Sequence, residues 1–345
     1  MFSSSQTYRD NWETHFQLLM EQLSKIPAPQ LANTPKTLIY SENKLRLFCY
    51  QALNTEQKAP PILITYALVN RPDIVDLEPD RSLVLRLLEQ GYRVYLIDWG
   101  YPDSSDCFTC LDDYISGLLH RCVQQTKRHC NSQTVNLLGI CQGGVFSLCY
   151  ATLHPENVSK LVTVVTPVNF HSTHNTLGLW VKNMTAHTLG KPSVNVSGQL
   201  ISALFSRLKP FQLTHEKYRQ PATLSTQKES LDTFLRMEHW LNDTPDLAAQ
   251  AANEFMQYFY QQNSLHNKTL RIANKPTLLS DISCPVLNFY ATEDHIVPPA
   301  SAQALAQHIE PSLYQEFALK AGHIGAFISK TTQQALINKL KNWLK

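Results

Sequence analysis

No stretch of the chain constrains its fold more than Gly139-Ile140-Cys141-Gln142-Gly143-Gly144. The apolar run Val135-Asn136-Leu137-Leu138 precedes it, and Val145-Phe146-Ser147-Leu148-Cys149-Tyr150 follows. That order reads as strand, tight turn, helix. A glycine stands two positions before Cys141 and another two positions after. If the turn is sharp enough to lift the cysteine clear of a sheet, a Cβ at either place meets the adjoining strand or helix. The helix that follows would aim its N-terminus at the sulfur, and the partial positive charge there favours a thiolate. A buried structural cysteine in a glycine-containing turn is the simpler alternative. A catalytic thiol requires the rest of the chain to supply a histidine and an acid.

The rest of the chain is organised as such a turn demands. Thr37–Tyr40 and Lys44–Tyr50 read as a hairpin around Ser41-Glu42-Asn43. From Pro61 onwards strands and helices alternate. Ile62–Tyr66 is a buried-type strand, Arg81–Glu89 a helix broken at Gly91, and Val94–Ile97 the next strand. Asp112–Cys130 is a helix with two acids at its positive end. Helix 142–153 and strand Leu161–Val165 come after the turn. Alternation of this kind implies right-handed crossovers and a mostly parallel central sheet flanked by helices. After Thr166-Pro167 regularity is lost for about a hundred residues, apart from helical stretches at Leu231–Leu241 and Leu247–Tyr260. It returns at Val286–Tyr290, with a helix over Ala300–His308, a strand over Leu313–Phe317 and a closing helix over Gln333–Leu344. The expectation is an α/β-hydrolase fold with a lid or cap insertion. Its parts are an N-terminal helical segment over 1–36, a catalytic core over 37–166 and 281–345, and a lid over 167–280. An apolar stripe of Trp12, Phe16, Leu19, Leu23 and Ile26 makes 10–26 an amphipathic helix, ended by Pro27 and Pro29. Phe255-Met256 and Tyr258-Phe259-Tyr260 read as lid core, or as a gate to an apolar channel or a dimer contact.

Two loops offer the missing partners. The strand ending at Tyr290 runs into Glu293-Asp294-His295, and the strand ending at Phe317 runs into Gly322-His323-Ile324-Gly325. Both lie past the carboxyl ends of parallel strands, where open α/β sheets place ligands. The order Cys141, Asp294, His323 is the one this fold requires. Asp294 is preferred to Glu293 by its place in the turn. His295 is read as a surface or supporting residue, and His171 and His174 fall in the lid. Asp98, at the end of its strand, is expected to bind local backbone amides, with loop orientation at the site as a second role.

In that constellation His323 takes the proton of Cys141, and Asp294 holds the imidazole and stabilises its charged form. A base of this sort contributes roughly 10²–10⁴ in rate. The oxyanion needs two amides. One is the N–H of Gln142; the other is expected in the loop after Tyr66, around Ala67-Leu68, which lacks the His-Gly common in lipases. A cysteine suits exchange between thioester and thiol, because the enzyme-bound acyl group stays activated. That points to acyl transfer from coenzyme A more than to hydrolysis.

Bulk properties narrow the partners. With 30 basic against 28 acidic residues and no long basic run, nothing points to nucleic acid. No apolar run approaches the ~18 residues of a membrane span. The start, Met-Phe-Ser-Ser-Ser-Gln-Thr-Tyr-Arg-Asp, has no apolar leader, and several of the eight cysteines sit inside apolar elements. A reducing cytoplasm is expected, with Cys107-x-x-Cys110 a coincidence in a loop and no metal.

These residues resemble the polyhydroxyalkanoate synthases, specifically the short catalytic subunit of the two-subunit class III type. The matching stretches are Tyr66–Pro72, Asp76–Ser82, Val94–Pro102, Asp112–Tyr114, Gly139–Gly144, Asp294–Pro298 and Gly322–Gly325. The likeness covers roughly residues 35 to 345. It implies that Cys141 takes (R)-3-hydroxyacyl groups, short-chain ones such as 3-hydroxybutyryl, from coenzyme A and carries the growing polyester. It implies that His323 activates Cys141. Asp294 either orients His323 or serves as base for the attacking 3-hydroxyl. Coenzyme A thioester is then substrate, and no cofactor is implied. The implied partners are a second, non-catalytic synthase subunit of the PhaE type, a second copy in a homodimer, and the surface of cytoplasmic polyester granules. Lid opening admits substrate. The rival reading is a Cys-dependent thioesterase or a depolymerase of the same polyester, which shares the trio and uses water as acceptor.

Overall fold

In the computed structural model, which describes residues 31, 33–54, 58–184, 193–208 and 228–344, the aliphatic runs pair into one eight-stranded sheet. Its first strands are β1 (Lys36–Glu42), β2 (Leu45–Tyr50), β3 (Lys58–Thr65), β4 (Tyr92–Asp98), β5 (Val135–Ile140) and β6 (Val158–Val164). A separate two-residue ribbon, β7 (Arg271–Ile272) and β8 (Lys275–Pro276), lies in the insertion. The main sheet ends with β9 (Val286–Ala291) and β10 (Tyr314–Leu319). Strand order is β1-β2-β4-β3-β5-β6-β9-β10. The pairs β1/β2 and β2/β4 are antiparallel, and all others are parallel. Several strands outrun their apolar cores, because ladder hydrogen bonds do not need apolar side chains. The expected amphipathic helix over 10–26 lies outside the described residues.

Alternation along the strands divides the interior in two. Leu63, Leu137 and Leu161 face one hydrophobic cluster. Ile62, Ile64, Leu138 and Val162 face the other. Side chains of a strand point to opposite faces, so strands apolar throughout are covered on both sides. One face is covered by α1 (Leu83–Glu89), whose Val84 and Leu87 are fully buried. The other is covered by α2 (His120–Cys130) and α3 (Gln142–Leu153). Helix α3 is apolar all round and buried from Gln142 to Ala151, as a central helix must be.

The chain leaves β3 for β4, then returns past β3 to β5. Loops after β3 and β5 therefore part in opposite directions at the carboxyl edge of the sheet, the place where a crevice opens. This switch point sets Tyr66–Asn70 beside the turn at Cys141.

Two helices differ from their sequence pattern. The helix expected over Asp112–Cys130 begins as a π-helix, Asp113–Leu119, before α2 takes over. Asp112 makes no cap bond to it; its carboxylate accepts the Ala273 N–H at 2.8 Å, tying the core to the β7–β8 ribbon. Asp113 accepts instead from the Cys110 N–H at 2.9 Å. In the insertion, α4 (Thr176–Lys182), α5 (Gly198–Ser206), α6 (Lys228–Asn242) and α7 (Ala249–Phe255) are followed by a second π-helix, Met256–Gln261. Phe255, Met256 and Phe259 are buried, and the rings of Phe170, Phe255, Phe259 and Tyr260 pack at 4.5–6.0 Å, with Phe146 of α3 beneath them. The aromatic run is thus core of the insertion. The chain closes with α8 (Pro299–Gln303), α9 (Gly325–Ile328) and α10 (Lys330–Trp343).

Candidate active site

Cys141 sits between β5 and α3 with φ 53° and ψ −122°, a conformation that side-chain-bearing residues avoid. The surroundings hold it there. Its N–H donates to Val164 O at 2.9 Å, and its carbonyl accepts from the N–H groups of Gly144 and Val145. The neighbouring glycines have the steric role the sequence suggested. A Cβ on Gly139 would run into the main chain of Gly144, and one on Gly143 into the Thr65 carbonyl. Val165, at the end of β6, is also strained, with φ 46°, and the next residue packs Thr166 against Gly144. A β-branched residue in that region is an outlier, and nothing in its sequence marks it.

The loops after β9 and β10 are zipped by main-chain bonds. Thr292 N–H donates to Leu319 O, and Glu293 N–H to Ala321 O. This brings Asp294 and His323 together. His323 Nδ1 lies 2.7 Å from Asp294 Oδ2, and both side chains are buried. The other carboxylate oxygen of Asp294 accepts from the Ile296 and Val297 N–H groups, each at 2.9 Å. Two donors on one oxygen and a ring on the other fix the carboxylate, and its bond to Nδ1 fixes the imidazole tautomer. Cys141 lies near enough to His323 to act on its pKa. Burial pushes the His323 pKa down, but Asp294, Cys141 and their hydrogen bonds raise it more, to about 10. The ring is therefore disposed to hold a proton as imidazolium.

The alternatives weighed in the sequence separate clearly. Glu293 is exposed. His171 and His174 are exposed, and His171 Nε2 lies 2.8 Å from Tyr260 O. His295 is half-buried beside Asp294. Asp98 does both things expected of it. One oxygen accepts from Gly100 N–H at 2.9 Å, and the other meets Arg71 Nη2 at 2.6 Å, fixing the end of the loop that starts at Tyr66.

That loop bears on one expectation. The second oxyanion amide was expected from around Ala67-Leu68, and of these the Leu68 N–H is engaged, donating to Gln142 Oε1 at 2.9 Å. An amide committed to a side-chain carbonyl cannot also serve an oxyanion. Ala67, its neighbour in the loop, is buried.

Sequence reasoning also missed two phenols. Tyr66, at the head of the loop, and Tyr260, on the second π-helix, both lie close enough to the Cys141 sulfur to feel its charge. Burial, with Cys141 adding to it, pushes both hydroxyls well up, so both stay protonated. Tyr66 stands next to a motif that was noticed. Tyr260 sits in an aromatic run whose period distinguishes no single ring. Among the described residues no group of three or more side chains could hold a metal ion, and no helix is long and apolar enough to cross a membrane.

Comparisons with known proteins fall into line with this geometry. Residues 60–329 match a family model described as the alpha/beta hydrolase fold. The chain is 42% identical, over 94% of its length and 92% of the relative's, to the poly(3-hydroxyalkanoate) polymerase subunit PhaC of Allochromatium vinosum. It is 39% identical to the subunit of that name from Synechocystis, over 91% of this chain and 85% of the relative. Among solved structures, the enol-lactonase of Burkholderia xenovorans superposes with a TM-score of 0.52 at 15% identity, over 90% of this chain and 99% of that one, a likeness of fold.

Proposed function

Because the chain belongs to the alpha/beta-hydrolase-fold family and, within it, to the poly(3-hydroxyalkanoate) polymerases, we propose that it transfers (R)-3-hydroxyacyl groups from coenzyme A to a growing polyester held as a thioester on Cys141. Polymerisation is the activity its relatives are named for. One observation carries the finer reading: the strained elbow beside a buried His–Asp pair bears a cysteine where hydrolases of esters commonly bear a serine.

The steps follow from the side chains. His323 accepts the proton of Cys141, and the thiolate attacks the thioester carbonyl. The oxyanion is met by the Gln142 and Ala67 N–H groups. Collapse expels the coenzyme A thiolate, which takes its proton back from His323. The acyl group is now on Cys141. In the second half, a 3-hydroxyl loses its proton and attacks that thioester, forming an ester and freeing the thiol. The base for this step is His323 rather than Asp294. Both Asp294 oxygens are engaged and its side chain is fully buried, so it orients the ring instead.

Short-chain 3-hydroxybutyryl groups, a second non-catalytic subunit, a homodimer, and a place at the surface of polyester granules belong to this proposal. They rest on the family resemblance. Coenzyme A thioester enters as substrate, and no cofactor takes part in the scheme. The test is to supply 3-hydroxybutyryl-coenzyme A with a co-expressed partner subunit and to weigh insoluble polyester against free acid. Polyester with coenzyme A release, both lost in Cys141→Ala, is the expected result. Free acid alone would make the chain a thioesterase or depolymerase and overturn the proposal.

A further inference from the structure

The side chain of Gln142 takes no part in that scheme, yet it is buried at the centre of the site. Its Oε1 accepts the Leu68 N–H across 74 positions of sequence. β3 ends at Thr65, so the next residues leave the sheet ladder and their N–H groups need other partners. The loop is held at both ends. Trp99 Nε1 donates to Tyr66 O at 2.9 Å, and Asn70, in the left-handed region at φ 61°, donates through Nδ2 to Thr244 Oγ1 at 3.1 Å. Between those anchors, the Gln142–Leu68 bond reaches the middle of the loop. It comes from the residue whose own main-chain N–H is one half of the oxyanion site. Ala67, the other half, is covalently next to the amide so held.

We propose that Gln142 is a positioning residue: its side-chain carbonyl braces the loop after β3 against the elbow, setting the distance between the two oxyanion donors, Ala67 N–H and Gln142 N–H. The inference rests on the acyl-transfer reading of Cys141. It explains why an acceptor of glutamine's length follows the nucleophile. A shorter or apolar side chain leaves a buried N–H without a partner and frees the loop to shift. Misplacement of a catalytic group by ~1 Å can cost about 100-fold in rate.

The test compares wild type with Gln142→Met, which keeps bulk and loses the acceptor. With 3-hydroxybutyryl-coenzyme A, kcat for coenzyme A release should fall about 10- to 100-fold, while KM moves less than about threefold. Alkylation of Cys141 by iodoacetamide, which forms no oxyanion, should stay within about twofold of wild type, and hydrogen exchange at residues 66–70 should accelerate. A kcat within about twofold of wild type overturns the brace, as does alkylation that slows in step with kcat. If Gln142→Met folds poorly, Gln142→Leu serves in its place. Exchange in the wild type alone is a second check: a Leu68 amide that exchanges as fast as an exposed one overturns the proposal. A wild-type chain that releases no coenzyme A overturns the acyl-transfer reading and this inference with it. Turnover by wild type and variant alike overturns the brace alone.

Discussion

His323 Nδ1 and Asp294 Oδ2 meet at 2.7 Å from the ends of adjacent parallel strands, and the carboxylate's second oxygen is filled by two main-chain amides. The acid is thus spent on orientation, and the ring has one nitrogen to offer the thiol. In Asp294→Asn the side chain can still touch the ring, but it no longer stabilises an imidazolium or selects the tautomer. Coenzyme A release should fall roughly 10²–10⁴-fold, and the melting temperature should fall as well, because a buried charge pair is broken. Steady-state kinetics beside a thermal melt will read both.

The raised pKa of His323 makes stability depend on pH. A group whose folded pKa lies above its unfolded value binds protons more tightly in the folded state. Its contribution is fully present below about 6.5, the usual histidine value, and fades as pH rises through about 10. The melting-temperature advantage of wild type over His323→Gln should therefore be larger at pH 6 than at pH 10. An advantage that grew with pH would contradict the cause given, which is the attraction of Asp294 and Cys141 outweighing burial.

Thiol reactivity should single out Cys141. Burial pushes Cys110 and Cys284 up to about 11 and Cys149 to about 12, so few of these are thiolates near neutrality. Limited iodoacetamide at pH 7.5, followed by peptide mapping, should label Cys141 before those three. In His323→Gln the preference for Cys141 should shrink by about tenfold or more.

Gly143→Ala tests the elbow. Its Cβ would enter the Thr65 carbonyl, which belongs to a central strand and cannot move aside. The cost should be about 3 kcal/mol or more, seen as a sharp fall in melting temperature or in folded yield. Gly322→Ala is the control, since a Cβ there comes no nearer than ordinary contact, 3.7 Å from Glu293 O.

Arg71→Met tests the anchor behind the oxyanion loop. Arg71 is buried, pairs with Asp98 at 2.6 Å, stacks 4.4 Å from the Tyr101 ring centroid and donates to Gly100 O. Breaking a buried pair by removing one partner costs about 3–5 kcal/mol. Arg46 still reaches Asp98 at 2.7 Å, so the loss should fall near the lower end, about 3 kcal/mol by denaturant unfolding. A loss under about 1 kcal/mol would mean that Asp98 is satisfied without Arg71.

Much of this was legible in the sequence, because it depends on short-range sterics and on periodicity. The glycines around Cys141 announce a turn through what a Cβ would hit. Unbroken apolar runs announce strands covered on both faces. The positions of Asp294 and His323 just past two such runs bring them to one edge once the sheet is parallel. The π-turns at Asp113–Leu119 and Met256–Gln261 were not legible, since their residues keep an ordinary helical pattern. Nor was the bond of Asp112 to Ala273, which depends on where the ribbon lies.

By itself, then, the sequence determined that a cysteine, an acid and a histidine stand in the order and at the strand ends of a nucleophilic site. Backbone conformation near Cys141 is forced by residues within a few positions of it. Only the tertiary structure decided which main-chain amides near Cys141 are already engaged. The Leu68 N–H is lost to a side chain 74 positions away, and Tyr66 and Tyr260, from the core and the insertion, both come within electrostatic reach of Cys141. Contacts of that kind depend on how separate elements pack, and no local pattern encodes them.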